Sequence, residues 1–289
     1  MTNFSIGQLA TLACTLEVTA PKPGNVHRAA DFEDCTLNEF LVSAIAIGPI
    51  MDSAPSGPLG EVVLRAVNAT RNVARSNTNL GIALLLAPLS CATTLPIAVS
   101  ELRENVARVL AGLTPDDARK VYEAIGSAQA GGLQVESASE MNVDAAAPDN
   151  LLDAMRFAAS YDMIARQYAN DFQDVFDFVV PHLNDPDNGE DLTDRIIRTH
   201  LHLMAEFPDS LIQRKLGESV ARESSMRASR VLNAGSASEN FDNYEAALAD
   251  FDFWLRSDGN RRNPGTSADL IAAGLFVGLL TDLIKPPFC

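Results

Sequence analysis

Helical periodicity runs through nearly the whole chain, and it is the feature that most restricts how these 289 residues can fold. Apolar side chains recur every three to four positions, whereas the strand-length alternation of apolar and polar residues is nearly absent. Residues 81–89 are small and apolar on all sides, which is typical of a buried helix. The sequence therefore predicts an all-α fold, a single multi-helix domain over residues 1–289 with roughly ten helices and with polar active-site loops on one side.

The positions of the helices follow from this periodicity and from the residues that start and stop helices. Thr114, followed by a proline, is expected to cap one helix, and Gly48-Pro49 is expected to end another. The aromatic residues from Phe157 to Phe178 have helical spacing and are expected in the core. A surface loop is expected at residues 133–149. The predicted helices are 5–18, 37–47, 59–75, 81–89, 97–111, 115–130, 150–180, 191–206, 209–234, 238–257 and 265–284.

The charge of the chain restricts its partners. Lys and Arg number 22 against 38 Asp and Glu, a formal net charge of -16. Such a surface repels phosphate backbones, so nucleic acid and anionic membranes are not expected as partners, while small molecules are. No apolar run is long enough to span a bilayer, and the four cysteines lack metal or disulfide spacing. The sequence predicts a cytoplasmic protein with reduced thiols, and it leaves a homo-oligomer open.

Four polar segments interrupt the helical pattern, and we number them segment 1 (residues 17–34), segment 2 (76–81), segment 3 (207–215) and segment 4 (261–269). Segments 2 and 4 place hydroxyl, amide and glycine residues at the start of an apolar helix. Free backbone N–H groups and the helix dipole at such a position favour an anion. Ordinary N-capping would explain the same residue types, so the pattern alone leaves both interpretations open.

Segment 1 contains Pro21-Lys22-Pro23-Gly24, in which two prolines stiffen the backbone on either side of a lysine. A rigid turn with surface charges would also explain this pattern. Carboxylates lie in or beside segments 1, 3 and 4, where they could hold Mg²⁺ or act as a general base, or could simply be caps and solvated charges. They are Glu17, Asp31, Asp34, Asp209 and Asp269.

Three of these stretches together resemble the triphosphoribosyl-dephospho-coenzyme A synthase family. Residues 17–26 read EVTAPKPGNV, residues 77–81 read NTNLG and residues 264–270 read PGTSADL. Each motif is weak alone, but the three occur in the family's order and the resemblance covers about residues 10 to 280. It implies an all-α transferase that moves the triphosphoribosyl group of ATP to the ribose 2′-hydroxyl of 3′-dephospho-coenzyme A and releases adenine.

The resemblance also suggests roles for individual residues. Loss of adenine builds positive charge at C1′, which carboxylates stabilise, and the acceptor hydroxyl needs a general base. Glu17, Asp31, Asp34 and Asp269 are the catalytic candidates, and the last three are also the candidate ligands of Mg²⁺. The candidates for binding the nucleotide are Lys22, Gly24, Arg28, Asn77, Thr78, Asp209, Lys215, Arg261, Arg262 and Ser267.

The chain departs from the family pattern in segment 2. The family commonly reads Asn-Thr-His-Lys-Gly, and here Asn79 and Leu80 replace the histidine and the lysine. We therefore expect a divergent branch that keeps ATP as donor and for which dephospho-coenzyme A is a poor acceptor. Two alternatives remain. One is a related ribosyl or phosphoribosyl transfer to another acceptor in cofactor biosynthesis, such as that of pterins, and the other is a non-catalytic helical protein that binds a nucleotide.

Overall fold

The computed structural model describes residues 4–75, 79–128, 148–236 and 240–288. Within these ranges there are fourteen α-helices and one four-residue strand, β1 (Ser257–Asn260), so the prediction of an all-α fold is confirmed. The expected loop at 133–149 falls almost entirely outside the described residues. The helices are α1 (Ile6–Thr19), α2 (Leu37–Ser53), α3 (Leu59–Arg71), α4 (Leu80–Cys91), α5 (Val99–Ala111), α6 (Pro115–Ser127), α7 (Leu151–Ala158), α8 (Met163–Ala169), α9 (Val180–Asn184), α10 (Leu192–Glu206), α11 (Ser210–Leu216), α12 (Glu218–Asn233), α13 (Phe241–Arg256) and α14 (Gly265–Leu280).

Two helices without a polar face, α4 and α14, form the centre of the molecule. Every residue of α14 except Gly265 and Asp269 is buried, and the helix packs against α1, α4 and α10. Burial on all sides explains why the apolar residues of both helices show no periodicity. Asp269 is the one charged residue on α14, so a single carboxylate projects from an otherwise apolar element.

A second group of buried side chains lies among α10, α11, α12 and α13 and includes Leu201, Ile212 and Phe251. Helix α11 also contacts α14. The chain therefore brings segment 3, which leads into α11, next to segment 4, which leads into α14. No helix in the described part of the chain is long and apolar enough to cross a membrane.

Helix α2 does not end at Gly48-Pro49, contrary to the sequence-based expectation. It continues to Ser53 because Pro49 lies on the exposed side, where the carbonyl group left without a donor can reach water. Gly48 itself is needed for packing, since a β-carbon there would lie 3.2 Å from the carbonyl oxygen of Gly7 on α1. The glycine marks the crossing of α1 and α2 and not a helix end.

The long helices expected at 150–180 and 209–234 are both broken. The first divides into α7, α8, a π-helical segment at Val175–Val179 and α9, with positive φ angles of 55° at Asp171 and 61° at Phe172. The second divides at Gly217, where φ is 89°. The expectation that the aromatic residues all lie in the core is wrong at the first break, where Phe157 is 53% exposed.

Candidate active site

Asp209 joins the N-terminal ends of α11 and α14. Its Oδ1 accepts hydrogen bonds from the backbone N–H groups of Leu211 and Ile212, at 2.9 and 3.1 Å. Its Oδ2 accepts from the backbone N–H and the hydroxyl of Ser267, at 2.7 and 2.8 Å. Burial raises the pKa of Asp209, and these hydrogen bonds oppose the shift because they favour the ionised form. One buried carboxylate thus caps two helices that begin 55 residues apart, at positions 210 and 265.

The carboxylate of Asp269 lies directly on the first turn of α4. A β-carbon built on Gly81 would lie 2.0 Å from Asp269 Oδ2, so this close approach requires glycine. Asp269 keeps a partial exposure, in contrast to its neighbours on α14. Segments 2 and 4 therefore meet at the Asp269 carboxylate.

The electrostatic surroundings of Asp269 favour its protonated form. Enclosure by protein raises its pKa well above the usual value, and the negative charges of Glu17 and Asp209 add to that shift. The positive charge of Arg214 acts in the opposite direction. A carboxyl group whose pKa is raised by enclosure and by like charges is a common feature of catalytic sites.

Asn79 is the N-cap residue of α4, and it is 2% exposed. Its side chain makes no capping bond, and its Nδ2 has no hydrogen-bond partner among the described residues. A buried donor without an acceptor is unfavourable, which makes this amide a candidate contact for a ligand. Asn77 and Thr78, the residues of segment 2 that the sequence assigned to nucleotide binding, lie outside the described residues.

Arg214 on α11 is ion-paired with Asp162, the N-cap residue of α8. The pair joins Nη1 of the arginine to Oδ2 of the aspartate, and both side chains are mostly buried. Oδ1 of Asp162 accepts from the backbone N–H groups of Ile164 and Ala165, at 2.9 and 3.0 Å. The arginine is therefore held in place by a carboxylate that is itself fixed to a helix start.

Lys22, the lysine of the proline-rich turn, is fully buried. Its Nζ lies 2.8 Å from Oε1 of Glu17 on α1 and also donates to the backbone carbonyl groups of Glu17 and Ala20. Glu17 is only 4% exposed. The ammonium group therefore holds the end of α1 to the turn and is turned away from solvent.

The rest of this turn is fixed to the C-terminal part of the chain. Gly24 has a φ of 76°, and a β-carbon there would collide with Pro264 at 2.9 Å. Its backbone N–H donates to Asp252 on α13 at 2.8 Å, and the side-chain amide of Asn25 donates to Asn263 at 2.7 Å. Segment 1 is thereby positioned beside segment 4.

A second polar patch forms around Asn260 at the end of β1. The Asn260 side chain donates to Asp34 at 3.1 Å, and its backbone carbonyl accepts from Nζ of Lys215 at 3.1 Å. Burial lowers the pKa of Lys215, and the negative charges of Asp34 and Asp209 oppose that shift. The structure thus brings Asp34 of segment 1 and Lys215 of segment 3 close together.

The remaining site residues predicted from the sequence make contacts other than those around Asp269 and Asn260. Oδ1 of Asp31 accepts from the backbone N–H of Leu37 at 2.7 Å, at the start of α2. Arg28 and Arg261 are exposed. Arg262 lies over the ring of Trp254, 4.5 Å from its centre, and donates to the Trp254 carbonyl group. Among the described residues, no three His, Cys, Asp or Glu side chains are gathered for a metal ion.

The sequence analysis gave no role to Arg214 or Asp162, and it named Asn79 only as the residue that replaces the family's histidine. Arg214 was passed over because its neighbour Lys215 took the cationic role, although Arg214 lies five residues after the capping Asp209. The capping role of Asp162 could not be predicted, because the sequence analysis predicts a single helix over residues 150–180 and an N-cap residue occurs only at the start of a helix.

The comparisons with known proteins give one consistent result. The model of a family described as ATP:dephospho-CoA triphosphoribosyl transferase matches residues 3–287. Among solved structures, the chain is similar to a candidate triphosphoribosyl-dephospho-coenzyme A synthase from Archaeoglobus fulgidus, with 25% identity and a TM-score of 0.65. That match covers 84% of this chain and 100% of the archaeal chain. No curated protein matches.

Proposed function

The chain belongs to the ATP:dephospho-CoA triphosphoribosyl transferase family, and from that membership we propose that Asp269 and Glu17 form its reaction centre. The protein is a transferase, and the family reaction uses ATP as a substrate. The observation that carries the proposal is the position of Asp269. It is the one charged residue of α14, the residue is partly exposed, and its carboxylate lies against Gly81, the second residue of α4.

Transfer from ATP requires the C1′–adenine bond to break and a bond from C1′ to the acceptor hydroxyl to form. In its ionised form Asp269 is suited to accept the proton of that hydroxyl, because a raised pKa makes a carboxylate a stronger base. Glu17, held by its ion pair with Lys22, supplies fixed negative charge near the positive charge that develops at C1′. The hydroxyl proton passes to Asp269, and the electron pair of the broken C1′–N bond leaves with adenine. The leaving adenine takes up one proton from water, and Asp269 afterwards returns its proton to water.

The contacts of the other predicted site residues separate those that support the structure of the site from those that could bind a second substrate. Asp209 and Ser267 shape the site because their polar atoms are used in capping. Lys22 and Gly24 hold the turn of segment 1, and Arg262 holds the end of α13. Asp34 and Lys215 form a mixed-charge patch open to a second substrate, with Arg28 and Arg261 on the surrounding surface. The nucleotide-binding role of Asn77 and Thr78 stays a prediction from their motif.

Magnesium stays a prediction as well. Of its three candidate ligands, Asp31 and Asp34 each accept a hydrogen bond, and Asp269 lies elsewhere, on α14 against the start of α4. Mg²⁺ usually keeps several waters and takes one or two carboxylates together with substrate phosphates. An ion that enters with the triphosphate would thus fit one of these carboxylates, and when bound it would neutralise phosphate charge.

The proposed function is tested by incubating the protein with ATP, Mg²⁺ and dephospho-coenzyme A. We expect free adenine by chromatography and a coupled product whose mass equals the sum of the two substrates less adenine. Adenine release that requires a different acceptor would support the sequence-based expectation of a changed acceptor. ATP binding without any adenine release would contradict a transferase and favour a nucleotide-binding protein.

Asp269→Asn should lower the rate of adenine release by about a hundredfold or more, because the amide cannot accept the proton. The same change should not lower stability at neutral pH. A carboxyl group whose folded pKa is raised binds its proton more tightly in the folded state, so its ionised form weakens folding above that pKa. The measurements are turnover with saturating ATP and urea unfolding at pH 7.5.

The matched control for this variant is Asp209→Asn, which changes a buried carboxylate with no proposed chemical role. It should lower stability by about 1–3 kcal/mol, because at least one capping bond to α11 or α14 is lost. An Asp269→Asn protein that turns over at the wild-type rate would show that the base lies elsewhere.

A further inference from the structure

Arg214 has a donor edge that the described part of the chain leaves unused. We propose that this edge binds a phosphate group of ATP, that Asn79 supplies a second donor to the same group, and that Asp162 positions the arginine. The inference rests on the proposed function, because it names the residues that take the triphosphate in that site. It also replaces Lys22 as the principal phosphate contact.

The geometry of the guanidinium group supports this role. Nη1 of Arg214 is occupied by Asp162, whereas Nε is buried and has no partner in the described part of the chain. Nε and Nη2 point from the side of the group opposite to Nη1. Such an edge presents two parallel N–H donors at the spacing of two phosphate oxygens.

Asn79 provides independent support from another segment. Its Nδ2 is also buried without an acceptor among the described residues, at the start of the twelve-residue helix α4. Asn79 precedes Gly81 by two residues, and Gly81 touches the Asp269 carboxylate. Two unpaired buried donors, from α4 and from α11, thus flank the carboxylate assigned to the reaction, and an anion would satisfy both.

Three of the other cations of the polar segments are already engaged, and Arg28 and Arg261 are exposed. Lys22 is buried on Glu17, Arg262 is held on Trp254, and Lys215 donates to the carbonyl of Asn260. Arg214 is close enough to Asp269 for its charge to affect that carboxyl group. The phosphates of ATP are attached to the same ribose as C1′, so the group that binds the first of them must lie within about one sugar length of the reacting carboxylate.

The test measures the binding of ATP, adenosine and inorganic tripolyphosphate by calorimetry at one ionic strength. Arg214→Gln should weaken binding of ATP and of tripolyphosphate by about tenfold to a hundredfold and leave adenosine binding unchanged. Arg214→Lys should recover only part of the loss, because it restores the charge without the two-donor edge. Asn79→Ala should weaken the same two ligands by a smaller factor.

Asp162→Asn is the matched control for a merely structural role. It removes the ion pair while its amide oxygen can still cap α8, so it should loosen the arginine and weaken ATP binding less than Arg214→Gln does. Equal losses of ATP affinity and of melting temperature in the two variants would overturn the proposal, as would equal weakening of ATP and adenosine. If Arg214→Gln does not fold, wild-type affinity in Arg214→Lys would overturn it as well.

The outcomes also separate this inference from the proposed function. If the wild-type protein releases adenine and the Arg214 variants bind ATP and tripolyphosphate as tightly as the wild type, only the role of Arg214 is contradicted. Binding of tripolyphosphate that depends on Arg214, without release of adenine, would contradict the transferase and support the anion site. Absence of binding by both ATP and tripolyphosphate would contradict both.

Discussion

The ammonium group of Lys22 and the carboxylate of Glu17 are buried together, with Nζ and Oε1 2.8 Å apart. Removing two charges from water is unfavourable, and their attraction offsets that penalty only while both partners are present. The backbone carbonyl groups that Lys22 also contacts tie the end of α1 to the turn that follows. The pair therefore determines where segment 1 lies relative to the central helices.

Lys22→Met should lower the free energy of unfolding by about 3–5 kcal/mol, because it leaves Glu17 buried without a counter-charge. The measurement is urea unfolding followed by circular dichroism. Arg28→Ala is the control, since loss of an exposed arginine from the same loop should change stability by no more than about 0.5 kcal/mol. A Lys22→Met protein with wild-type stability and no ATP binding would instead indicate a direct contact with phosphate.

His200 adds a pH dependence near this pair. It is fully buried, and its ring nitrogens have no hydrogen-bond partner in the described ranges. Burial and the charge of Lys22 lower its pKa well below the usual value, and an interaction with the Pro23 backbone opposes the shift. Below about pH 6.5 the unfolded chain therefore takes up a proton at His200 that the folded chain does not, and stability falls as the pH falls.

Replacing His200 isolates this contribution. The slope of unfolding free energy against pH, measured in urea between pH 7.5 and 5.0, should be smaller in His200→Gln by up to about 1.4 kcal/mol per pH unit. The raised pKa of Asp269 acts in the opposite direction, because it makes the folded state gain stability as the pH falls. Asp269 is present in both proteins, so its effect cancels in the comparison. Identical slopes would mean that His200 titrates normally in the folded state.

At the scale of elements, the site depends on how closely helix starts approach one another. Asp209 joins α11 to α14, and Gly81 lets α4 approach Asp269. Neither contact is local in sequence, and each involves backbone atoms at a helix N-terminus. The site is therefore set by the packing of α4, α11 and α14 and not by the conformation of a single loop.

Gly81→Ala should disturb the reaction centre, because the new methyl group would occupy the position of Asp269 Oδ2. We expect adenine release to fall at least about tenfold, since the carboxylate must move. Gly126→Ala in α6 is the matched control, as a β-carbon there meets nothing within 4 Å. That change should raise stability by about 0.5–1 kcal/mol and leave turnover unchanged. A Gly81→Ala enzyme of normal activity would place the reaction away from this contact.

The helical periodicity of the apolar residues predicted most of the helices, because this pattern is set by residues that are close together in the sequence. The Thr114 cap is confirmed, and α1, α4 and α10 lie close to their expected positions. The breaks at Asp171 and Gly217 were missed because they depend on backbone angles that side-chain pattern does not report. The continuation of α2 through Pro49 was missed because exposure of one helix side is a property of the folded molecule.

At the scale of the whole molecule, the sequence located the polar segments but not the contacts between them. The motifs of segments 1, 2 and 4 and the charged residues of segment 3 were expected to carry the chemistry, and the structure places Asp34 near Lys215 and Asp209 on Ser267. Lys22 shows the limit of that approach. A lysine between two prolines has the same sequence whether its ammonium faces solvent or Glu17, and only the fold decides between the two.

Helix α14 is made last among the helices described, yet α1, α4 and α10 all pack against it. During synthesis on the ribosome, the apolar faces of those three helices therefore stay unpacked until α14 has been made. A nascent chain that ends before residue 265 contains Glu17, Arg214 and the start of α4, but it lacks α14, the helix against which they are positioned. Such a chain exposes apolar surface of the kind that aggregates or recruits chaperones. The candidate reaction centre can thus form only after α14 has been synthesised.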